Sequence, residues 1–146
     1  MHVTTLFVPS SVAGFVSRDT GDTSLNRLLL PISHQPSSQP AIDAATVLVS
    51  QLSAPPITMT LIHAGAETEV GALELPQKAD WSWNQMFGKG DPVEWILAAG
   101  AEFDVDLIVM ATKGQDSLLD MLRGSTTERV LRGARCPLLA IPAPLI

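Results

Sequence analysis

Five apolar residues stand in a row between Asp106 and Thr112, in 106-DLIVMAT-112. A strand with one wet face alternates apolar and polar residues, whereas a run apolar at every position is buried on both faces. Strands of that kind belong to parallel sheets covered by helices. The runs 27-RLLLPI-32, 57-ITMTLIH-63 and 137-PLLAIP-142 have the same character. Pro31 removes a ladder donor and is tolerated near a strand end. Helical patterns separate these runs. In 40-PAIDAATVLVSQLS-53, Pro40 suits a first helical position, and Ile42, Ala45, Val49 and Leu52 share a face. Pro55 and Pro56 then stop that helix. Asp91 caps a helix opening at Pro92, with Val93, Ile96, Leu97 and Ala101 on one face. The segment 125-STTERVLRGA-134 pairs Ser125 with Glu128 as a capping box. Period-two alternation in 80-DWSWNQMF-87 marks a further strand. With right-handed crossovers this predicts an α/β fold, a doubly wound parallel sheet of about five strands.

The bulk properties narrow the function classes. A chain of 146 residues, 46% of them hydrophobic, makes one domain. Nine basic against fifteen acidic side chains leave a net charge of -6. That balance excludes a general nucleic-acid binder and suits an anionic membrane surface no better. No stretch approaches the ~18–20 apolar residues of a membrane span. The single cysteine, Cys136, forms no internal disulfide and reads as a buried thiol. The N-terminus lacks a basic leader ahead of its apolar part and reads as structure, so the expected location is cytoplasmic. Residues 1–26 are expected to form an N-terminal strand and linker, and residues 27–146 the α/β domain.

The segment leaving 106-DLIVMAT-112 carries Gly114 and then Gly124–Ser125. Ligands of open α/β sheets sit at the carboxyl ends of the strands. Gly124 lets the backbone approach closely, and Ser125, Thr126 and Thr127 put hydroxyls beside the free amides of a helix start. Such a start favours an anion such as phosphate, and Lys113 adds a positive charge. A long loop with a well-capped helix accounts for the same residues, so local chemistry leaves both readings open. The spacing is neither the Walker type nor Gly-x-Gly-x-x-Gly.

The arrangement Ala111, two residues, Gly114, nine residues, Gly124, Ser125 resembles the universal stress protein family, whose motif is Gly-x2-Gly-x9-Gly-Ser/Thr after the fourth strand. The stretches 90-GDPVEWILAAGAEFDVDLIVMAT-112 and 128-ERVLRGARCPLLAIP-142 look like the family's third helix through fourth strand and its final helix and strand. The resemblance implies strand order 3-2-1-4-5. It also implies a regulatory domain, not a turnover enzyme, with ATP or a related adenine nucleotide as ligand. Gly114, Gly124, Ser125 and Thr126 would hold phosphates, and Ser33 and His34 would lie near the base or ribose. Three departures bear on this. Ala111 replaces the first motif glycine, Ser33 stands where nucleotide-binding members place an aspartate, and the link from residue 63 to 80 is short for a helix. An alternative is a dimerisation or interaction module without a nucleotide.

Other residue sets offer weaker signals. His34 and His63 end neighbouring strands, and two imidazoles can share a divalent metal. Two solvated or hydrogen-bonded histidines fit equally. No catalytic carboxylate pair is evident: Asp91 reads as a cap, and Asp104 and Asp106 as solvated. Asp116 and Asp120 also read as solvated. Trp81, Trp83 and Trp95 read as core or interface. The apolar 4-TTLFVP-9 resembles 137-PLLAIP-142, as if the chain were the second half of a tandem pair keeping the first half's final strand. Residues 4–8 are expected to add antiparallel beside residues 137–141, in the same chain or swapped. A homodimer through the edge strands is the expected partner state.

Overall fold

The computed structural model describes residues 4–10, 12, 14–33, 37–113 and 126–143. In chain order the elements are β1 (Thr5–Phe7), β2 (Arg27–Pro31), α1 (Gln39–Leu52), β3 (Ile57–Ala64), β4 (Trp81–Gly88), α2 (Pro92–Glu102), β5 (Leu107–Lys113), α3 (Thr126–Gly133) and β6 (Leu138–Ala143). They form one six-stranded sheet in the order β1-β6-β5-β2-β3-β4. With β1 set aside this is 3-2-1-4-5 read from the other edge, as expected. All neighbours are parallel except β1, which runs antiparallel along β6 with Thr5 opposite Ala140 and Phe7 opposite Leu138. The apolar edge of β6 is therefore covered by the chain's own N-terminus, and the expected pairing occurs in cis.

The uninterrupted apolar runs are explained by two cores, one on each face. Leu28, Leu30, Leu107 and Val109 point to the face covered by α1, where Ala41, Ile42, Ala45 and Val49 meet them. Leu29, Ile108 and Met110 point to the other face, where α2 and α3 supply Val93, Ile96, Ala99 and Val130. Leu52 and Ala101 were expected on buried faces but are exposed, because each lies in the last turn of its helix. Trp81 and Trp83 pack on the first core and Trp95 on the second. Cys136 is buried, and loss of solvation pushes its thiol up to about 11. Among the described residues no helix is long and apolar enough to cross a membrane.

The amino edge of the sheet is fixed by Asp106, which is not the solvated residue its position in a turn implied. Its Oδ2 accepts from the N–H of Asn26 at 2.9 Å and of Arg27 at 3.0 Å, and its own N–H donates to the Arg27 carbonyl at 2.8 Å. Asn26 extends the clamp: its amide donates to the carbonyls of Ala54 and Pro56, and its own carbonyl accepts from Thr58 N–H. Asp104 is exposed and pairs with Arg27 at 3.3 Å.

Two predictions arise from this frame. Asp106→Ala leaves two backbone donors of β2 without their acceptor and should cost about 1–3 kcal/mol in urea unfolding. An unchanged midpoint would show that water replaces the carboxylate. Deleting residues 1–12 uncovers β6, and light scattering should then register larger oligomers or precipitation. A truncated protein of unchanged size would mean that the edge needs no cover.

Candidate functional site

The carboxyl edge of the sheet is where its two central strands part. β2 and β5 pair only at Leu28–Leu107 and Leu29–Ile108, while β2 stays paired with β3 as far as Pro31 and Ile62. Beyond Leu29 the two strands share no further ladder pair, although β5 runs on to Lys113 beside β6. Chain direction also reverses here: the crossovers from β2 run outward to β3 and β4, those from β5 to β6. This is the topological switch point, where open α/β sheets take their ligands.

Two residues at the switch point stand out. Thr112 is only 7% exposed, and among the described residues its Oγ1 has no hydrogen-bond partner. A buried hydroxyl without a partner costs about 1–3 kcal/mol, which singles Thr112 out among the described residues of this edge. Ser33 follows β2 and is half-buried. Its N–H donates to Ser38 Oγ at 2.9 Å, and its carbonyl accepts from that hydroxyl at 3.1 Å. Ser38, itself buried, thus ties Ser33 to the residue just ahead of α1.

The other expected site residues divide into two groups. Ala111 is half-buried in β5 and packs on the α1 side, so it and Thr112 face opposite sides of the sheet. Thr126 opens α3 and is exposed. His34, Gly114, Gly124 and Ser125 lie outside the described residues, as do Asp116 and Asp120. The Asp91 cap is present, accepting from Glu94 N–H at 3.4 Å, and Asp91 also pairs with Arg129 at 3.2 Å. Thr112 was not singled out in the sequence, because a threonine ending an apolar run gives no sign that its hydroxyl is left over.

His63 has a structural occupation. Its Nδ1 lies 2.9 Å from the Ile32 carbonyl and its Nε2 3.1 Å from Glu69 Oε2. Both neighbours are acceptors, so both contacts are hydrogen bonds at once only when each ring nitrogen carries a proton. Gly65 makes room for the pair: a β-carbon there would meet His63 Nε2 at 2.7 Å, and the Glu69 carboxylate closer still. This arrangement favours the hydrogen-bonded histidine over the metal ligand. Among the described residues no three His, Cys, Asp or Glu side chains gather to hold a metal.

Comparison with known proteins agrees with the fold. Residues 85–142 match the model of the Universal stress protein family. Universal stress protein MJ0531 of Methanocaldococcus jannaschii is 39% identical over 56 residues, 38% of this chain and 33% of that protein. The match thus spans about a third of the relative's length. A universal stress protein from Archaeoglobus fulgidus superposes with a TM-score of 0.61 at 21% identity, over 81% of this chain and 45% of that one. A universal stress protein solved in complex with cAMP gives 0.55 at 15% identity, over 82% and 99%. The fold is thus a doubly wound α/β sheet with a topological switch point between β2 and β5. The C-terminal part of the chain, residues 85–142, is similar to the universal stress protein family, and the fold is that of solved universal stress proteins.

The His63 contact holds the Glu69 carboxyl below its ordinary value of 4.5, with the Ala66 backbone adding to the effect. A carboxylate with a lowered folded pKa stabilises the fold above the unfolded value, and the contribution is lost as pH falls through the folded one. Glu69→Gln should therefore lower the melting temperature at pH 7 and match the parent in strong acid. A difference that persists undiminished below the carboxylate range would assign the effect to packing.

Proposed function

We propose that this chain is a ligand-responsive regulatory domain that binds an adenine nucleotide at the switch point between β2 and β5. The observation that carries the reading is the buried Thr112 hydroxyl, unpartnered among the described residues at the end of the strand from which the glycine segment departs. A phosphate or ribose oxygen is the kind of group it lacks. Gly114, Gly124, Ser125 and Thr126 would take the phosphates, where α3 begins and its free amides favour an anion. Ser33 and His34 would lie toward the ribose and base, and Ala111 would line the α1 side of the gap. Ser33 supplies a hydroxyl in place of a carboxylate, so affinity should be lower than an ion-assisted site gives. The cAMP complex of a protein with this fold supports the chemical class of ligand.

The residues suit binding better than turnover. Two carboxylates near this edge already serve other elements: Asp91 caps α2 and Glu69 holds His63. Occupancy would be read by a partner, and a second copy is the simplest one. Since β1 occupies the outer side of β6, an edge-to-edge homodimer would pair along β1, where Leu6 is exposed.

Calorimetric titration with ATP and with cAMP tests the reading. Gly124→Val should abolish binding, because its side chain enters the space of the phosphate. Thr112→Val keeps the volume and removes the hydroxyl, and should weaken binding about five-fold. Equal affinities in all three proteins, or no nucleotide binding by the parent, would overturn it.

A further inference from the structure

A cavity of about 290 Å³ lies on the α1 side of the carboxyl edge, against the stretch that follows β3. Its floor is Ile32, Leu61 and Phe87, and Leu73 and Leu75 form its outer wall. The volume is near the lower end for small-molecule sites. The half-open lining carries two polar side chains, Glu67 and Gln85, both exposed. Neither side chain has a hydrogen-bond partner among the described residues.

The charge around the cavity has one sign. The overlying stretch carries Glu67, Glu69 and Glu74, and the chain has no Lys or Arg between Arg27 and Lys78. His63, on the adjoining strand, is engaged by Glu69. Asp43 of α1 lies against Gln39, whose amide also holds the Glu74 backbone. Lys89 follows β4 but does not line the cavity. An anion entering here meets carboxylates. A cation meets the free Glu67, the carbonyl of Gln85 and the face or edge of the Phe87 ring.

We propose that this cavity is a second ligand site, for a small organic cation: an amine carried on an apolar or aromatic body. The body fills the space between Leu61, Phe87 and Leu73, and the ammonium lies at Glu67. Its lining shares no residue with the proposed nucleotide site and it accepts the opposite charge, so each stands or falls separately.

The probe is phenethylamine, compared with two molecules of similar shape, 2-phenylethanol and 3-phenylpropionate, by ligand-observed NMR titration of the full chain. The amine should bind at least about five-fold tighter than the alcohol, and the acid weakest. Glu67→Gln, an exposed change that leaves the fold alone, should reduce the amine to the affinity of the alcohol. Leu73→Trp fills the cavity and should abolish binding of both, with circular dichroism confirming the fold. No amine binding at millimolar concentration, or equal binding of amine and acid, overturns the proposal. Undiminished binding to a folded Leu73→Trp protein also overturns it, by placing the amine elsewhere.

Discussion

The hydrogen bonds of Asp106 set the register on which the sheet depends. A parallel sheet brings together strands distant in sequence, and a slip of one residue turns every side chain to the wrong face. β2 and β5 are joined by only two ladder pairs. So short a ladder specifies register poorly. The carboxylate makes up for this by accepting from consecutive amides, Asn26 and Arg27, just as β2 begins. Asn26 then fixes β2 to β3 through the carbonyls of Ala54 and Pro56. One end of the central strands is clamped, which leaves the other end free to part.

That asymmetry links stability to function. Strands that stayed paired to their carboxyl ends would satisfy each other's backbone and leave no crevice. Here the amino edge holds the register, and the carboxyl ends of β2 and β5 are left unpaired with each other, the place where open α/β sheets in general take ligands. The helix face below is rigid in its own way. Gly133 admits Leu97 so closely that a β-carbon would come within 2.6 Å of it, and Arg129 reaches Asp91. α3 is thereby held against α2, through Arg129 near its start and Gly133 at its end.

The fold was legible because its signals are local and additive. Apolar runs, Pro40 and Pro92 at helix starts and the Asp91 cap each gave the element that formed. The position of residues 4–8 followed from likeness to the last strand. The polar network was not legible in the same way. Asp106 and Asn26 are ordinary turn residues in sequence, 80 positions apart, and only the parallel topology brings them together. Glu69 shows the same limit in a short segment: nothing in 64–79 marks it as the partner of His63. Of the candidate site, the positions of Ser33 just past β2 and of Ala111 within β5 follow from the strand boundaries. Thr112 was missed because its significance is an unmet hydrogen bond, a property of surroundings and not of residue type. The glycine segment itself lies outside the described residues.

The two faces of the sheet are covered by different means, and the difference explains where a cavity can form. A helix satisfies its own backbone and presents a solid apolar stripe. On the α1 side the outer strands β3 and β4 are covered instead by a ribbon with one 3-10 turn at Glu67–Glu69, most of whose backbone must find partners elsewhere. It finds them in side chains: Gln39 bonds both the N–H and the carbonyl of Glu74, and Trp83 donates to the Pro76 carbonyl at 2.8 Å. Val70, Leu73 and Leu75 contribute the apolar contacts. Such a cover is pinned at points, at His63–Glu69, Gln39–Glu74 and Trp83–Pro76, and spans the intervals between them. Close packing fails in one of those intervals, above Leu61 and Phe87. Segments held by a few exposed hydrogen bonds open at lower free energy than packed helices, and binding elements are drawn from that low-stability end. The same replacement of helix by ribbon that leaves the void therefore also makes its roof the part of this face most able to move.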